Sequence, residues 1–205
     1  MGPLLTRRLP LWKRAFDILG AGVGLMLCGP LLLTIAVVVK LDSPGPVFFA
    51  QMRRGRGGRP FRMYKFRSMT VDAETRKQDL LSLNEQDGPA FKVKCDPRVT
   101  AVGRWLRKTS LDELAQLLNI LKGDMSLVGP RPLPCDESDA CRLWHRRRLD
   151  ATPGLTCTWQ VRGRSRVTFA QWMRMDANYV RNFSFWGDLK LLLQTVPAVI
   201  LGRNE

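Results

Sequence analysis

The sequence predicts a mainly α-helical protein with one small β-hairpin, seated on a membrane. Three features point there: an uncharged apolar run from Ile18 to Val39, a glycine- and arginine-rich turn between two aromatic-rich stretches, and leucines recurring at helical spacing further on. With 205 residues the chain can form one compact domain with its own core. The expected division is a basic segment plus membrane helix over residues 1–42 and a second unit over residues 43–205.

At about 1.5 Å per residue the apolar run is long enough to cross a bilayer. Arg7, Arg8, Lys13 and Arg14 lie before it, and Lys40, Arg53, Arg54, Arg56 and Arg59 follow. The positive-inside rule therefore pulls both ends to the cytoplasmic side, which both can obey only if the segment turns back. Gly29-Pro30 in its middle offers a place to turn, because proline lacks the amide donor and clashes with the preceding turn. An ordinary kinked transmembrane helix fits the same residues.

Asp42-Ser43-Pro44-Gly45-Pro46 ends the membrane segment. Val47–Gln51 and Phe61–Phe66 then flank RRGRGGR, which predicts a hairpin with a basic tip able to meet lipid phosphates. Residues Thr70 to Gly88 are polar with weak helical periodicity. Leu111, Leu114, Leu117, Leu118 and Leu121 predict an amphipathic helix from Ser110 to Lys122, stopped by Gly123. The aromatic-led apolar segment from Phe183 to Leu201, with Lys190 and Arg203 nearby, suits an interfacial helix or a terminal helix packed on the core.

The formal charge of +15, from 33 Lys and Arg against 18 Asp and Glu, favours anionic partners. Phospholipid, phosphorylated metabolites and nucleic acid all qualify, but no nucleic-acid-binding motif is present. Five cysteines, an odd number widely spaced, predict a reduced compartment. Cys135, Cys141, His145 and Cys157 match no metal-ligand spacing, and a single histidine argues against a Ser-His-Asp hydrolase.

Asp112-Glu113 opens the leucine-spaced helix, where free amides and the helix dipole favour anions such as a substrate phosphate. Adjacent helical residues diverge by about 100°, so one carboxylate could attack phosphorus while the other holds Mg2+. Ser110 and Glu113 are equally the two ends of a capping box. Lys65, Arg67, Arg107 and Arg131, from separate segments, are candidate phosphate ligands if they converge.

The runs SPGPVFFAQ (Ser43 to Gln51), FRMYKFRSM (Phe61 to Met69), DPRVTAVGRWLRKTSLDEL (Asp96 to Leu114) and NILKGDMSLVGPRP (Asn119 to Pro132) resemble the monotopic bacterial sugar transferases, polyprenyl-phosphate phosphoglycosyl transferases that begin polysaccharide or glycoconjugate assembly. KRAFD from Lys13, PGLT from Pro153, WQVRGR from Trp159 and FWGDLKLLLQT from Phe185 extend the likeness from about Lys13 to Leu201.

The resemblance implies a monotopic protein of the bacterial inner membrane, with a re-entrant helix-break-helix anchor at Gly29-Pro30, interfacial helices and a catalytic domain on the cytoplasmic face. It implies a nucleoside diphosphate sugar donor, a polyprenyl phosphate acceptor and no nucleic acid, and leaves homo-oligomerisation open. It further implies Asp112 as nucleophile, Glu113 as Mg2+ ligand, Arg107 as positioning group and Arg131 as nucleotide-phosphate ligand, with Lys65, Arg164 and Asp188 in the polar site. Gly29 stands where many relatives have Ser, and Cys157-Thr158 where Gly-Leu or Gly-Trp is usual. The rivals to this enzyme are a basic, membrane-tethered nucleic-acid-binding module, prompted by the charge and the arginine clusters at Arg53 to Arg59 and Arg146 to Arg148, and a non-catalytic membrane adaptor that keeps the fold.

Overall fold

The computed structural model describes residues 9–93, 95–162 and 167–200. Mostly helical, it carries a two-stranded antiparallel sheet and one long apolar helix near the N-terminus, as the sequence predicts. The basic pair Arg7-Arg8, the site candidate Arg164, and Leu201 and Arg203 lie outside the described residues.

The first helix, α1 (Leu11–Asp42), is long and apolar enough to cross a membrane. The helical conformation runs through Gly29 and Pro30, so the expected break does not interrupt the secondary structure. Proline there withdraws only the amide that would bond one carbonyl in the preceding turn. Along its length α1 presents two unlike faces. Lys13, Asp17 and Ala21, then Ile35 and Val39, are buried at four-residue spacing. Leu19, Met26, Leu27, Leu33 and Leu41 on the outer side are more than two-thirds exposed. Such a continuous uncovered apolar face is matched to hydrocarbon rather than water.

Both ends of α1 are fastened to the same body. At its start Lys13 Nζ donates to Val128 O at 2.8 Å and to Asp188 Oδ2 at 2.5 Å. Arg14 donates to the carbonyls of Ile120 and Leu121, and Asp17 Oδ1 accepts from Leu127 N and Ser126 Oγ. At its end Arg67 donates to Val39 O, Ser43 O and Pro46 O. Apolar packing repeats the pattern: Ala21 joins a core with Leu117, Ile120, Leu127 and Val128, while Ile35 and Val39 join Phe66, Leu106 and Ala115.

Strands β1 (Phe48–Arg54) and β2 (Pro60–Phe66) form the predicted hairpin, in register from Phe48↔Phe66 to Arg54↔Pro60. Two basic residues at the end of β1 are used internally, Arg53 donating to Pro132 O and Arg54 pairing with Asp139, while Arg59 at the tip is exposed. On β2 the strand alternation aligns Phe61, Met63 and Lys65 on one face, and the two apolar members enter the core. Lys65 is thereby aimed at the turn that follows α2 (Ala101–Lys108).

That turn departs from the sequence expectation. Leu111–Gln116 is a 3-10 helix, and only Leu117–Lys122 continues as an α-helix, α3, closed by Gly123 in the left-handed conformation. The predicted capping box does not form: Ser110 has φ 56°, makes no side-chain cap bond, and offers its carbonyl to Glu113 N. A left-handed Ser110 reverses the chain sharply and forces the tighter winding after it.

The sequence reading also missed a second sheet, parallel β3 (Ser126–Val128) with β4 (Gly154–Thr156), because two three-residue strands carry too little alternation to read. A Cβ at Gly154 would lie 2.0 Å from Gly129 N, and one at Gly129 would lie 2.3 Å from Thr152 O, so the two backbones touch only because both residues are glycine. The C-terminal segments form α6 (Phe169–Asn182) and α7 (Phe185–Ile200), preceded by short helices α4 (Cys135–Asp139) and α5 (Thr158–Arg162).

The buried Lys13–Asp188 pair, with Tyr179 Oη donating to Asp188 Oδ1, leads to a stability test. Asp188→Ala should destabilise the fold by about 3–5 kcal/mol because it strands a buried ammonium. Lys13→Met combined with Asp188→Leu should recover most of that loss, measured by denaturant unfolding in detergent micelles.

Candidate active site

Four separate segments meet at the 3-10 turn. Asp112 is 5% exposed there, and Glu113 beside it is held by two cations. Lys65 Nζ lies 2.7 Å from Glu113 Oε1. Arg131 reaches the same carboxylate as a fork, Nη1 to Oε2 at 3.1 Å and Nη2 to Oε1. Asp112 is held more loosely: its Oδ2 lies 3.8 Å from Lys65 Nζ, beyond hydrogen-bond reach. Arg107, the next cation, donates from Nε to Ser68 Oγ at 3.1 Å and lines the same cavity.

The two carboxyls are pushed apart in proton affinity. Burial raises Asp112; the Glu113 charge adds to this, and Lys65, Arg107 and Arg131 only partly offset it. Burial would raise Glu113 too, but Arg131 and Lys65 overwhelm it and hold the group far below the usual carboxylate range. Arg131 responds in kind: burial lowers it, and the Glu113 charge and hydrogen bonds more than restore it, so it stays charged. One of two adjacent carboxyls is thus a neutralised anchor while the other is poorly solvated and loosely bound, a division that assigns distinct roles.

The geometry rests on two devices that sequence reasoning missed. First, Asn119 on α3, fully buried, accepts from Tyr64 N at 3.0 Å and donates to Arg62 O at 2.7 Å. Its amide imitates a neighbouring strand, which sets the distance between β2 and the 3-10 turn and so the reach of Lys65. Second, the loop after β3 has each carbonyl from Pro130 to Leu133 bonded: to Gly154 N, to Arg148, to Arg53 Nη1 and to Arg54 N in turn. Arg148 is itself buried, paired with Asp176 at 2.8 Å and set 5.3 Å from the Trp172 ring centre. Burial pushes Asp176 up to about 6, with Arg148 opposing. Arg131 is therefore presented from a rigid loop whose two prolines add no amide donors. In one sequence a buried Asn or Arg looks like an exposed one, so neither device carried a readable signal.

Lys65 and Arg131 meet at Glu113, and Arg107 lines the same cavity. Arg67 and Asp188 stand elsewhere: Arg67 ties the end of α1 through backbone carbonyls, and Asp188 ties its beginning. The dyad faces a cavity of about 510 Å3. Gln86, Lys92, Trp159 and Gln160 supply polar lining, and Leu111, Leu114, Leu127, Leu155 and Leu192 an apolar wall. Cys157, behind this wall, donates to Gln160 Oε1 at 2.9 Å, and burial pushes its thiol up to about 12, leaving it unreactive.

Residues 8–202 match the family model described as bacterial sugar transferase. The chain is 47% identical to the galactosyl transferase CpsE of Streptococcus agalactiae serotype III over 94% of this chain and 43% of that protein. It is 42% identical to the exopolysaccharide production protein ExoY of Rhizobium meliloti, covering 94% of this chain and 87% of that one. A protein of Caulobacter vibrioides named UDP-glucose:undecaprenyl-phosphate glucose-1-phosphate transferase is 42% identical over 99% of this chain and 75% of its own length. The chain thus spans under half of the first of these relatives and most of the other two.

The asymmetric dyad predicts opposite stability effects for two near-isosteric changes. A carboxyl raised above its unfolded value favours the fold below that value and costs stability as pH rises through the folded one; Asp112 is of this kind. Asp112→Asn should therefore raise the unfolding midpoint at neutral pH. Glu113 is depressed, so its contribution is present at neutral pH and lost only on acidification. Glu113→Gln should cost about 3–5 kcal/mol by leaving Lys65 and Arg131 facing an uncharged partner. Paired thermal melts at neutral pH check both signs.

Proposed function

The chain belongs to the bacterial sugar transferase family, and from that premise we propose that it transfers a sugar 1-phosphate from a nucleoside diphosphate sugar to polyprenyl phosphate. The single observation that carries this reading is the convergence of Lys65, Arg107 and Arg131 on two carboxyls of unequal basicity. The Caulobacter relative's name supports uridine diphosphate as the donor carrier and undecaprenyl phosphate as the acceptor.

In the proposed reaction an Asp112 carboxylate oxygen attacks the phosphorus that bears the sugar. The bond from that phosphorus to the bridging oxygen breaks, and uridine monophosphate leaves with the electron pair. An oxygen of polyprenyl phosphate then attacks the same phosphorus, the bond to Asp112 breaks, and polyprenyl diphosphate sugar departs as the carboxylate is restored. A carboxylate that accepts few hydrogen bonds keeps its lone pairs available, which suits Asp112 and not Glu113. Lys65, Arg107 and Arg131 supply fixed positive charge where the transferring phosphoryl group becomes more anionic.

Magnesium fits this arrangement as an ion shared with substrate. Glu113 offers about four acceptor sites, of which Lys65 and Arg131 take three. Among the described residues no trio of His, Cys, Asp or Glu forms a protein-only cage. Mg2+ commonly accepts one or two carboxylates and completes its shell with phosphate oxygens and water, so Glu113, with Asp112 adjacent, would hold it. Bound there, it would supply Lewis-acid neutralisation of the phosphates.

We also infer a monotopic, re-entrant seating on the cytoplasmic face of the inner membrane. Its support is that the two ends of α1 are tied by ionic and carbonyl contacts to one body, with the apolar outer face uncovered between them. A helix spanning the bilayer would carry those ends to opposite sides.

Three outcomes are expected. Asp112→Asn in purified membranes should lower uridine monophosphate release by at least about 10^3-fold and abolish labelling of the protein by a radioactive sugar phosphate; a persisting label would refute the nucleophile. The acid limb of the rate should lie above an ordinary aspartate's, because activity needs the ionised form of a raised group, and Lys65→Met should shift that limb to still higher pH. Single cysteines at Leu11→Cys and Leu41→Cys, in a background without native cysteines, should react with an impermeant maleimide from the cytoplasmic side only.

A further inference from the structure

A second cavity of about 230 Å3 lies beyond Lys65 and Arg107, and these two residues line both it and the dyad cleft. The proposed chemistry does not use it. Its volume is below the ~300–1,000 Å3 typical of a pocket that holds a whole ligand, so it suits part of one. Its lining is mixed. Arg53 Nη1 and Nη2 are bonded to Pro132 O and Gln51 Oε1, yet Nε is buried and has no partner among the described residues. Phe91 lines it too, with Lys77 and Arg98 over its ring at 5.6 and 5.5 Å from the centre. Ala73, buried, closes one side.

Two cations at the neck recognise phosphate. An unfilled guanidinium donor and the carboxyls of Glu74 and Glu137 in the body, with Phe91 beside them, recognise a polar ring with hydroxyls, whereas an isoprenoid chain would leave those groups desolvated and unpaired. The dyad cleft offers Leu111, Leu114, Leu127, Leu155 and Leu192 to an isoprenoid between its polar groups, while Phe48, Phe49, Phe66, Met69 and Val71 are the apolar part of the second cavity. We propose that this second cavity is the nucleoside subsite of the donor. The base and ribose enter it, the diphosphate crosses between Lys65 and Arg107, and the sugar lies in the dyad cleft. This rests on the transferase reading above.

Two variants outside the dyad test it: Ala73→Leu, which fills the cavity, and Phe91→Ala, which removes an aromatic lining residue and frees the two cations over it. In the full chain, each should raise the KM for uridine diphosphate sugar and weaken uridine monophosphate binding by about tenfold or more, with the KM for polyprenyl phosphate unmoved. Unchanged nucleotide binding in either folded variant, or a shift in the acceptor KM instead, would overturn the subsite. Should Ala73→Leu fail to fold, Phe91→Ala decides alone. If the wild type releases no monophosphate from any nucleotide sugar, the transferase reading falls, while binding of uridine monophosphate by the wild type and Phe91→Ala proteins still judges the cavity.

Discussion

A carboxylate withdrawn from water between an ammonium and a guanidinium is the interaction on which the rest of the structure depends. Glu113 is tolerable in its place only because Lys65 and Arg131 meet it there. Each partner arrives from a different part of the chain, so the hairpin, the 3-10 turn and the loop after β3 must all be held in position before the charge is satisfied. Asn119 fixes the first distance and Arg148 the second. A small error in either would leave an unpaired buried ion.

That anchor also explains the unequal partner. Because Glu113 absorbs the positive charge, Asp112 sits beside a fixed anion in a buried position with a cation only at 3.8 Å. The arrangement costs stability and preserves basicity. A site of this kind is expected to be less stable than its neutralised variant, and the strain belongs with the left-handed Ser110 that begins the turn.

The long first helix is integrated by the same logic of opposed polar ties. Lys13, Arg14 and Asp17 hold its start against β3 and α3, while Arg67, the residue after the strand that carries Lys65, holds its end. The helix is therefore part of the scaffold of the site rather than a separate tether. Arg67 stands two residues from Lys65 in the chain, so the fastening of α1 and the placement of the phosphate-facing lysine are mechanically one. Much of the positive charge is used internally in this way, on carbonyls and carboxylates.

What the sequence determined by itself was whatever depends on local pattern. The apolar length of α1, the hairpin around two glycines with positive φ at its tip, the stop at Gly123 and the Asp112-Glu113 pair were legible because periodicity, glycine and adjacency act over a few residues. The family motifs also pointed to Lys65, Arg107 and Arg131. Tertiary structure decided the rest: that Glu113 and not Asp112 receives the cations, that Ser110 does not cap, that Arg67 and Asp188 brace α1, and that Asn119 and Arg148 position the site. These outcomes turn on which polar group loses its water and which distant partner replaces it. A buried and an exposed polar residue are written with the same letter, and only the packed chain distinguishes them.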